Sequence, residues 1–174
     1  MTLHRSVLRA KAIDILTAAN IVPAGAIYRA KLWKTQPEQL PCIVVFTRKD
    51  DQTGKGHTAP PQFTANPRLD FEIGVKGDNP ADIEDDLDSK CDALITALLT
   101  SADLMLLVER VVSITTEIDA MEGEYQYFRA RIGITFEYTE LYEPVLPNLL
   151  NLVDVTFTGP NGDPVAEVKI TPQA

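Results

Sequence analysis

Residues 69–76 read Leu69-Asp70-Phe71-Glu72-Ile73-Gly74-Val75-Lys76, with an apolar side chain at every second position. Successive side chains of a β-strand point to opposite faces, so this alternation predicts a strand with one buried and one wet face. The run Cys42-Ile43-Val44-Val45-Phe46 is apolar throughout and predicts a buried central strand. We expect these two strands to pair with each other.

A helix is predicted directly after the alternating strand. Asp78-Asn79-Pro80 supplies a capping side chain followed by proline at the first helical position, and the acidic residues that follow suit the helix dipole. Apolar residues then recur at helical spacing as far as Leu98, so we expect the helix to end near Thr100. The same spacing over residues 8–19 predicts an earlier helix, near the N-terminus.

Further strands are predicted from apolar alternation. One covers residues 26–33, and two long strands over 108–118 and 126–138 form a hairpin. Two short alternating segments after Pro147 predict a terminal hairpin. The order of these elements lacks the regular βαβα alternation of a parallel sheet. The predicted class is α+β: a mainly antiparallel sheet with two principal helices packed on one face, plus a C-terminal β-ribbon.

The chain is predicted to divide near residue 142, although its 174 residues suit a single core. Prolines at 144 and 147 prevent a central strand from continuing, because proline has no ladder donor. We predict an α+β domain over residues 1–142, a proline-containing linker over 143–151 and a β-hairpin arm over 152–174. A two-stranded ribbon is marginal in water, so the arm must pack on the domain or on a neighbouring subunit.

The sequence offers no catalytic constellation. Its two histidines, His4 and His57, have no nucleophile motif such as Gly-x-Ser-x-Gly near them. The adjacent aspartates at 50 and 51 lack a third ligand at metal-binding spacing. Cys42 and Cys91 fall in apolar contexts and are expected to be small buried hydrophobes. We expect no enzymatic activity, no metal and no cofactor.

Charge is distributed unevenly along the chain. The formal net charge is −9, but residues 1–34 hold six basic groups against one aspartate, or +5, which leaves −14 for the remainder. An acidic total disfavours sequence-independent DNA binding, while the basic segment could contact an acidic surface of another copy. No apolar run approaches the ~18–20 residues that cross a bilayer, and the N-terminus lacks a signal-peptide core. We expect a cytoplasmic origin and no membrane contact.

The segment between the first two long strands is rich in Asp, Gly, Thr and Pro and shows no periodicity. Most connections need only ~2–6 residues. We therefore predict a long functional loop over residues 49–66.

Several stretches carry a resemblance to a known family. They are the N-terminal helix, Leu40-Pro41-Cys42-Ile43-Val44-Val45-Phe46, the long loop, Arg68-Leu69-Asp70-Phe71-Glu72-Ile73-Gly74-Val75, the acidic helix, and Ala130-Arg131-Ile132-Gly133-Ile134-Thr135-Phe136-Glu137-Tyr138. In their order and in their local sequence, these stretches resemble the tail terminator proteins of long-tailed bacteriophages, of the lambda minor-tail-protein-U type. The resemblance covers residues 3–142 and rests on patterning rather than on catalytic residues.

The resemblance implies a hexameric ring that caps the head-proximal end of the tail tube, stops its polymerisation and joins the tail to the head. The implied partners are further copies of the chain, the tail tube protein and a head-tail connector or neck protein. Genomic DNA would pass through the ring without specific binding. The implied location is the virion tail, after assembly in the host cytoplasm.

Opposite charges suggest which residues join the subunits of such a ring. A head-to-tail contact brings two different patches together, so Arg5, Arg9 or Lys31 would meet the acidic helix of the next subunit. The acidic candidates there are Asp85, Asp86 and Asp88. Arg129 and Arg131, on the polar side of the long hairpin, could pair with the same helix or belong to a solvated sheet face.

The long loop supplies the candidate contacts to the tube or connector, which are Asp50, Asp51, Lys55, His57 and Phe63. Two other functional classes stay open. Another phage neck or head-tail completion protein would share the small α+β subunit and ring assembly. A small-ligand-binding domain or divergent enzyme would need a concave polar site.

Overall fold

The computed structural model describes residues 4–29, 36–56, 60–121, 127–142, 153–158 and 164–170. The chain divides into two compact units, Met1–Tyr142 and Glu143–Ala174. In the second unit, strands β6 (Val153–Thr158) and β7 (Pro164–Ile170) pair antiparallel.

The first unit contains three helices and five strands. In chain order they are α1 (His4–Ala19), β1 (Ile27–Arg29), β2 (Cys42–Gly54), β3 (Gln62–Lys76), α2 (Pro80–Leu99), α3 (Ala102–Met105), β4 (Arg110–Met121) and β5 (Tyr127–Leu141), with a short 3-10 helix at Pro37–Gln39. The strands form one sheet in the order β1-β2-β3-β5-β4, antiparallel except for the β1–β2 pair. The predicted α+β class is confirmed.

The core lies between the helices and one face of the sheet. Leu69, Phe71 and Ile73 of β3 are fully buried, as their alternation predicts, and α1 and α2 bury one stripe each. α1 packs on β1, β2 and α2, while α2 packs on β3 and β5. Full burial of a large apolar side chain contributes roughly 1.5–3 kcal/mol, so this layer dominates the stability of the unit.

The second helix begins and ends where its sequence signals predict. The side-chain oxygen of Asn79 accepts a hydrogen bond from the backbone N–H of Ala81 at 3.3 Å, and Pro80 is the first helical residue. This bond satisfies one of the N–H groups that have no partner inside the helix. Thr100 is the C-terminal cap.

The predicted loop over residues 49–66 is wrong. β2 continues to Gly54 and β3 begins at Gln62, and the extended parts pair in a regular register from Lys49↔Arg68 to Gly54↔Phe63. Both faces of this end of β2 are largely exposed, so its side chains need no apolar alternation. Backbone hydrogen bonds hold these parts of the strands together. Because such bonds do not depend on side-chain type, they produce no periodic pattern in the sequence.

Three other elements differ in extent from their predictions. β1 covers three residues, and residues 30–33 of that predicted strand lie outside the described part of the chain. β4 and β5 each run three residues further at their C-terminal ends than the predicted 108–118 and 126–138. The four-residue helix α3 is not predicted at all, since one helical turn is too short to show a periodicity.

Candidate assembly surfaces

The sheet face opposite the helices carries paired charges. Arg131 of β5 donates to the Oε1 atom of Glu72 on β3, with an Nη2–Oε1 distance of 2.8 Å, and this bond raises the pKa of the arginine. Arg129 reaches Asp119 of β4 at 3.4 Å. Both arginines assigned to a subunit contact from the sequence therefore have carboxylate partners in their own chain. Their contact with another subunit stays a prediction.

Asp70 is fully buried on this polar face. The Nε atom of Arg68 donates to its Oδ1 at 2.7 Å, and Arg48 approaches its Oδ2 at 3.3 Å. Arg68 lies across Gly133 and donates through Nη2 to the hydroxyl of Thr115 on β4 at 3.0 Å. A Cβ atom at Gly133 would lie 2.2 Å from that Nη2. Arg68 thus links β3 to β4 across β5, and only glycine leaves room for it.

A groove lies between the N-terminal half of α1 and the middle of β2, and we name it the cationic groove. It is lined by Arg5, Ser6, Arg9, Thr47, Arg48, Lys49 and Asp50. Its lining holds four cations and one carboxylate, and Asp70 and Asp51 pair with Arg48 and Lys49, so the local formal charge is +1 in a protein whose net charge is −9. Such a local reversal of sign creates a field that favours an acidic partner.

Arg5 and Arg9 occupy this groove in different ways. Arg5 forms an ion pair with Asp50 at 3.0 Å, and the carboxylate is 8% exposed. Arg9 donates to the hydroxyl of Thr47 at 3.1 Å, but its buried Nε has no hydrogen-bond partner. Burial, followed by the nearby cations Arg29 and Arg5, lowers the pKa of Arg9. In the described part of the chain, no carboxylate pairs with Arg9.

The exposed side of α2 is acidic, and we name Asp82, Glu84, Asp85, Asp88 and Asp92 its acidic face. Asp85, Asp88 and Asp92 follow one another at spacings of three and four residues, which places them side by side on the helix surface. Like charges at this spacing repel each other, by ~0.2–0.5 kcal/mol per pair. Asp86, the third predicted contact, instead pairs with Lys90 one turn later.

Two exposed apolar side chains project from the same face of β4, and we name Ile114 and Ile118 the β4 ledge. Ile114 is 39% exposed and Ile118 is 44% exposed. They stand directly opposite Ile134 and Ala130 of β5, both of which are fully buried. These two isoleucines therefore lie on the core side of the sheet, but beyond the strands on which α2 packs. The sequence predicts the strand and gives no sign that its apolar side is uncovered.

Among the residues that the structure describes, β4 pairs on one side only, since it ends the strand order. Its outer edge is twelve residues long, with one bulge between Val111 and Ser113. Exposed backbone donors and acceptors on a long edge strand are a template for pairing with another chain.

The predicted tube contacts lie on the paired arms of β2 and β3. Asp50 is held in the cationic groove by Arg5, and Asp51 pairs with Lys49 at 2.5 Å. Asp50 is thus a mostly buried groove residue and not a loop-tip contact, because the strand extension carries it back against α1.

The other predicted tube contacts are near the end of β5. Lys55 donates to the hydroxyl of Thr139 at 2.6 Å, and the ring of Phe63 meets that of Tyr142 edge-on at 5.5 Å. His57, like the predicted interface residue Lys31, lies outside the described residues. The tube contacts stay predictions, now placed along a hairpin rather than in a loop.

Within the described ranges, no group of three His, Cys, Asp or Glu residues is placed to hold a metal ion. No helix in the same ranges has the length and apolar character needed to cross a bilayer. No protein-family model matches the chain, and no curated protein matches it either.

Proposed function

We propose that the protein is a structural subunit that assembles into a ring, caps a phage tail tube, stops its polymerisation and joins the tail to the head connector. The observation that carries this proposal is the β4 ledge, an apolar pair on an unpaired sheet edge. A second copy of the chain is the occupant that the charges favour, because the same subunit carries a cationic groove and an acidic helix.

The β4 ledge supplies a driving force for association. Burial of apolar area stabilises a contact by about 25 cal/mol per Å², and half-exposed isoleucines keep much of their area available for it. The adjacent strand edge adds directional backbone hydrogen bonds. An apolar pair and a strand edge together favour a protein partner over a small ligand.

The positions of these surfaces favour a ring over a two-fold dimer. β4 ends the sheet on one side, whereas the cationic groove lies beside β2, towards the other side. Contacts between unlike surfaces are head-to-tail, and they give a closed ring when the rotation between neighbours closes. The terminator type of ring is proposed from the sequence resemblance over residues 3–142 together with the α+β fold.

The test is native mass spectrometry with negative-stain imaging of the purified protein, followed by its addition to polymerising tail tubes. A six-fold ring that shortens the tubes supports the proposal. A twelve-fold ring would favour a connector, and a stable monomer would favour a ligand-binding domain.

A matched pair of variants tests the role of the β4 ledge. Ile114→Glu with Ile118→Glu should dissociate the ring, since two carboxylates would be buried in an apolar contact. Ser113→Glu is the control, because it adds a charge to the same strand on the opposite face. Circular dichroism would verify that both variants are folded. Loss of the ring in the control alone, or in neither variant, would contradict the assignment.

A further inference from the structure

We propose that the cationic groove of one copy receives the acidic face of α2 from the next copy. This inference rests on the proposed ring function and names a contact between its subunits. It identifies the occupant of the groove as a helix of a second copy, not a nucleic acid or a small anion.

The groove presents two arginines at helical spacing, and one of them, Arg9, has no carboxylate partner among the described residues. Arg5 and Arg9 lie one helical turn apart on α1, so their positions differ by ~6 Å along the helix axis. Arg48 and Lys49 line the β2 side of the groove with 51% and 67% exposed side chains, and each has a carboxylate partner of its own, Asp70 and Asp51. Arg9 is the least satisfied of these cations, since its buried Nε lacks a partner. Its guanidinium otherwise donates to the neutral hydroxyl of Thr47, so no carboxylate of the described residues neutralises its charge.

The acidic face of α2 matches the groove in spacing. Asp85 and Asp88 differ by ~4.5 Å along the helix axis, and Asp88 and Asp92 by ~6 Å. Two helices lying side by side can therefore align these carboxylates with arginines one turn apart. α2 buries its opposite stripe, centred on Leu87, Cys91 and Leu94, against the core, so the acidic face is directed away from the sheet.

The two surfaces are not used against each other within one copy. In the ranges described, no ion pair joins the groove to α2, although α1 and α2 pack together in the core. Each copy thus offers one positive and one negative surface. A head-to-tail contact neutralises both at every interface of a ring, whereas a bound polyanion would leave the acidic faces repelling each other.

Charge reversal on each side tests the contact. Asp85→Lys/Asp88→Lys changes two exposed residues of α2, and Arg9→Glu/Lys49→Glu changes the groove. Each variant should weaken subunit association at least ~100-fold at low salt, because like charges then face each other. The readout is the distribution of masses in native mass spectrometry and light scattering. Lys49→Glu alone, at a largely exposed position, serves if the double groove variant does not fold.

Combining both reversals in one chain provides the decisive result. The combined variant should regain the ring, because its reversed helix again meets an oppositely charged groove. The control is Asp14→Lys/Glu38→Lys, an equal charge change at exposed positions outside both surfaces, which should keep the wild-type ring. Raising salt from about 50 to about 500 mM should weaken the wild-type ring, since screening acts on exposed charges.

Several outcomes would overturn the inference. A wild-type mass for either reversal at low salt would overturn it, and so would a combined variant that stays dissociated. Labelled duplex DNA would test the other occupant: weaker DNA binding by the groove variant with an unchanged ring would make the groove a polyanion site. In each of these cases the wild-type ring persists and the proposed function stands. A wild-type monomer under all conditions would refute both.

Discussion

Strands β4 and β5 share one sequence pattern and have opposite surroundings. Ile134 of β5 is fully buried, and its direct cross-strand partner Ile114 of β4 is 39% exposed. The same contrast separates Ala130 from Ile118. Helix α2 packs on β5 and β3 and has no contact of that extent with β4. Apolar alternation therefore predicts on which face of the sheet a side chain lies. Whether that side chain is buried depends on whether a helix packs over its strand.

The contrast is tested most directly by truncating both members of the isoleucine pair. Ile134→Ala should lower the free energy of unfolding by about 2–5 kcal/mol, because it leaves a cavity in a close-packed core. Ile114→Ala should cost less than about 1 kcal/mol in the dissociated subunit, since solvent already reaches the side chain. Urea denaturation at concentrations that keep the protein dissociated measures both. Equal costs would mean that the β4 ledge is covered.

The polar side of the same strands gives a smaller effect. Gly133→Ala should cost about 1–3 kcal/mol, because its Cβ displaces Arg68 from the charge-assisted bonds to Asp70 and Thr115. A double-mutant cycle with Arg68→Ala isolates this cause. In the Arg68→Ala background the glycine substitution should cost much less. A cost independent of Arg68 would locate the damage in the backbone of β5 instead.

The smallest effect concerns the start of helix α2, which packs over β3 and β5. Asn79→Ala should destabilise the protein by about 1 kcal/mol, because the amide of Ala81 loses its capping acceptor. Ser101→Ala is a matched control, since Ser101 caps α3 without a side-chain hydrogen bond. Thermal or urea denaturation of the two variants compares them. A larger loss for Ser101 would contradict the role given to Asn79.

Local signals in the sequence predict helix α2 and the strand β3 beneath it well. Asn79 and Pro80 specify the start of α2 through short-range hydrogen bonding and a fixed φ angle, so neither signal depends on the rest of the chain. The alternation over residues 69–75 predicts its strand because one face of it is fully buried. The opposite face is not wet as predicted, since Asp70 and Gly74 are buried there too, so the period reflects the polarity of the two faces and not their exposure.

The surfaces beyond that cover are harder to predict. The arm of β2 past Lys49 is largely exposed on both faces, so little in its side chains distinguishes strand from loop. Arg5 and Arg9 are recognisable as candidates from charge alone. Arg48 and Lys49 join them in the cationic groove only because the sheet places β2 beside α1. These two elements are far apart in sequence: the Arg9–Thr47 bond joins residues 38 positions apart. Burial of Asp70 in an otherwise polar face has the same long-range origin.

The bulge between Val111 and Ser113 divides the outer edge of β4 into two registers. An incoming strand that follows residues 113–121 loses its hydrogen-bond phase at Val112 unless it contains a matching irregularity. A long apolar edge can pair unspecifically with other extended chains. Here the bulge confines such pairing to the residues on one side of it. The edge therefore favours a partner strand whose shape matches the bulge, and it disfavours the open-ended strand pairing that builds fibres.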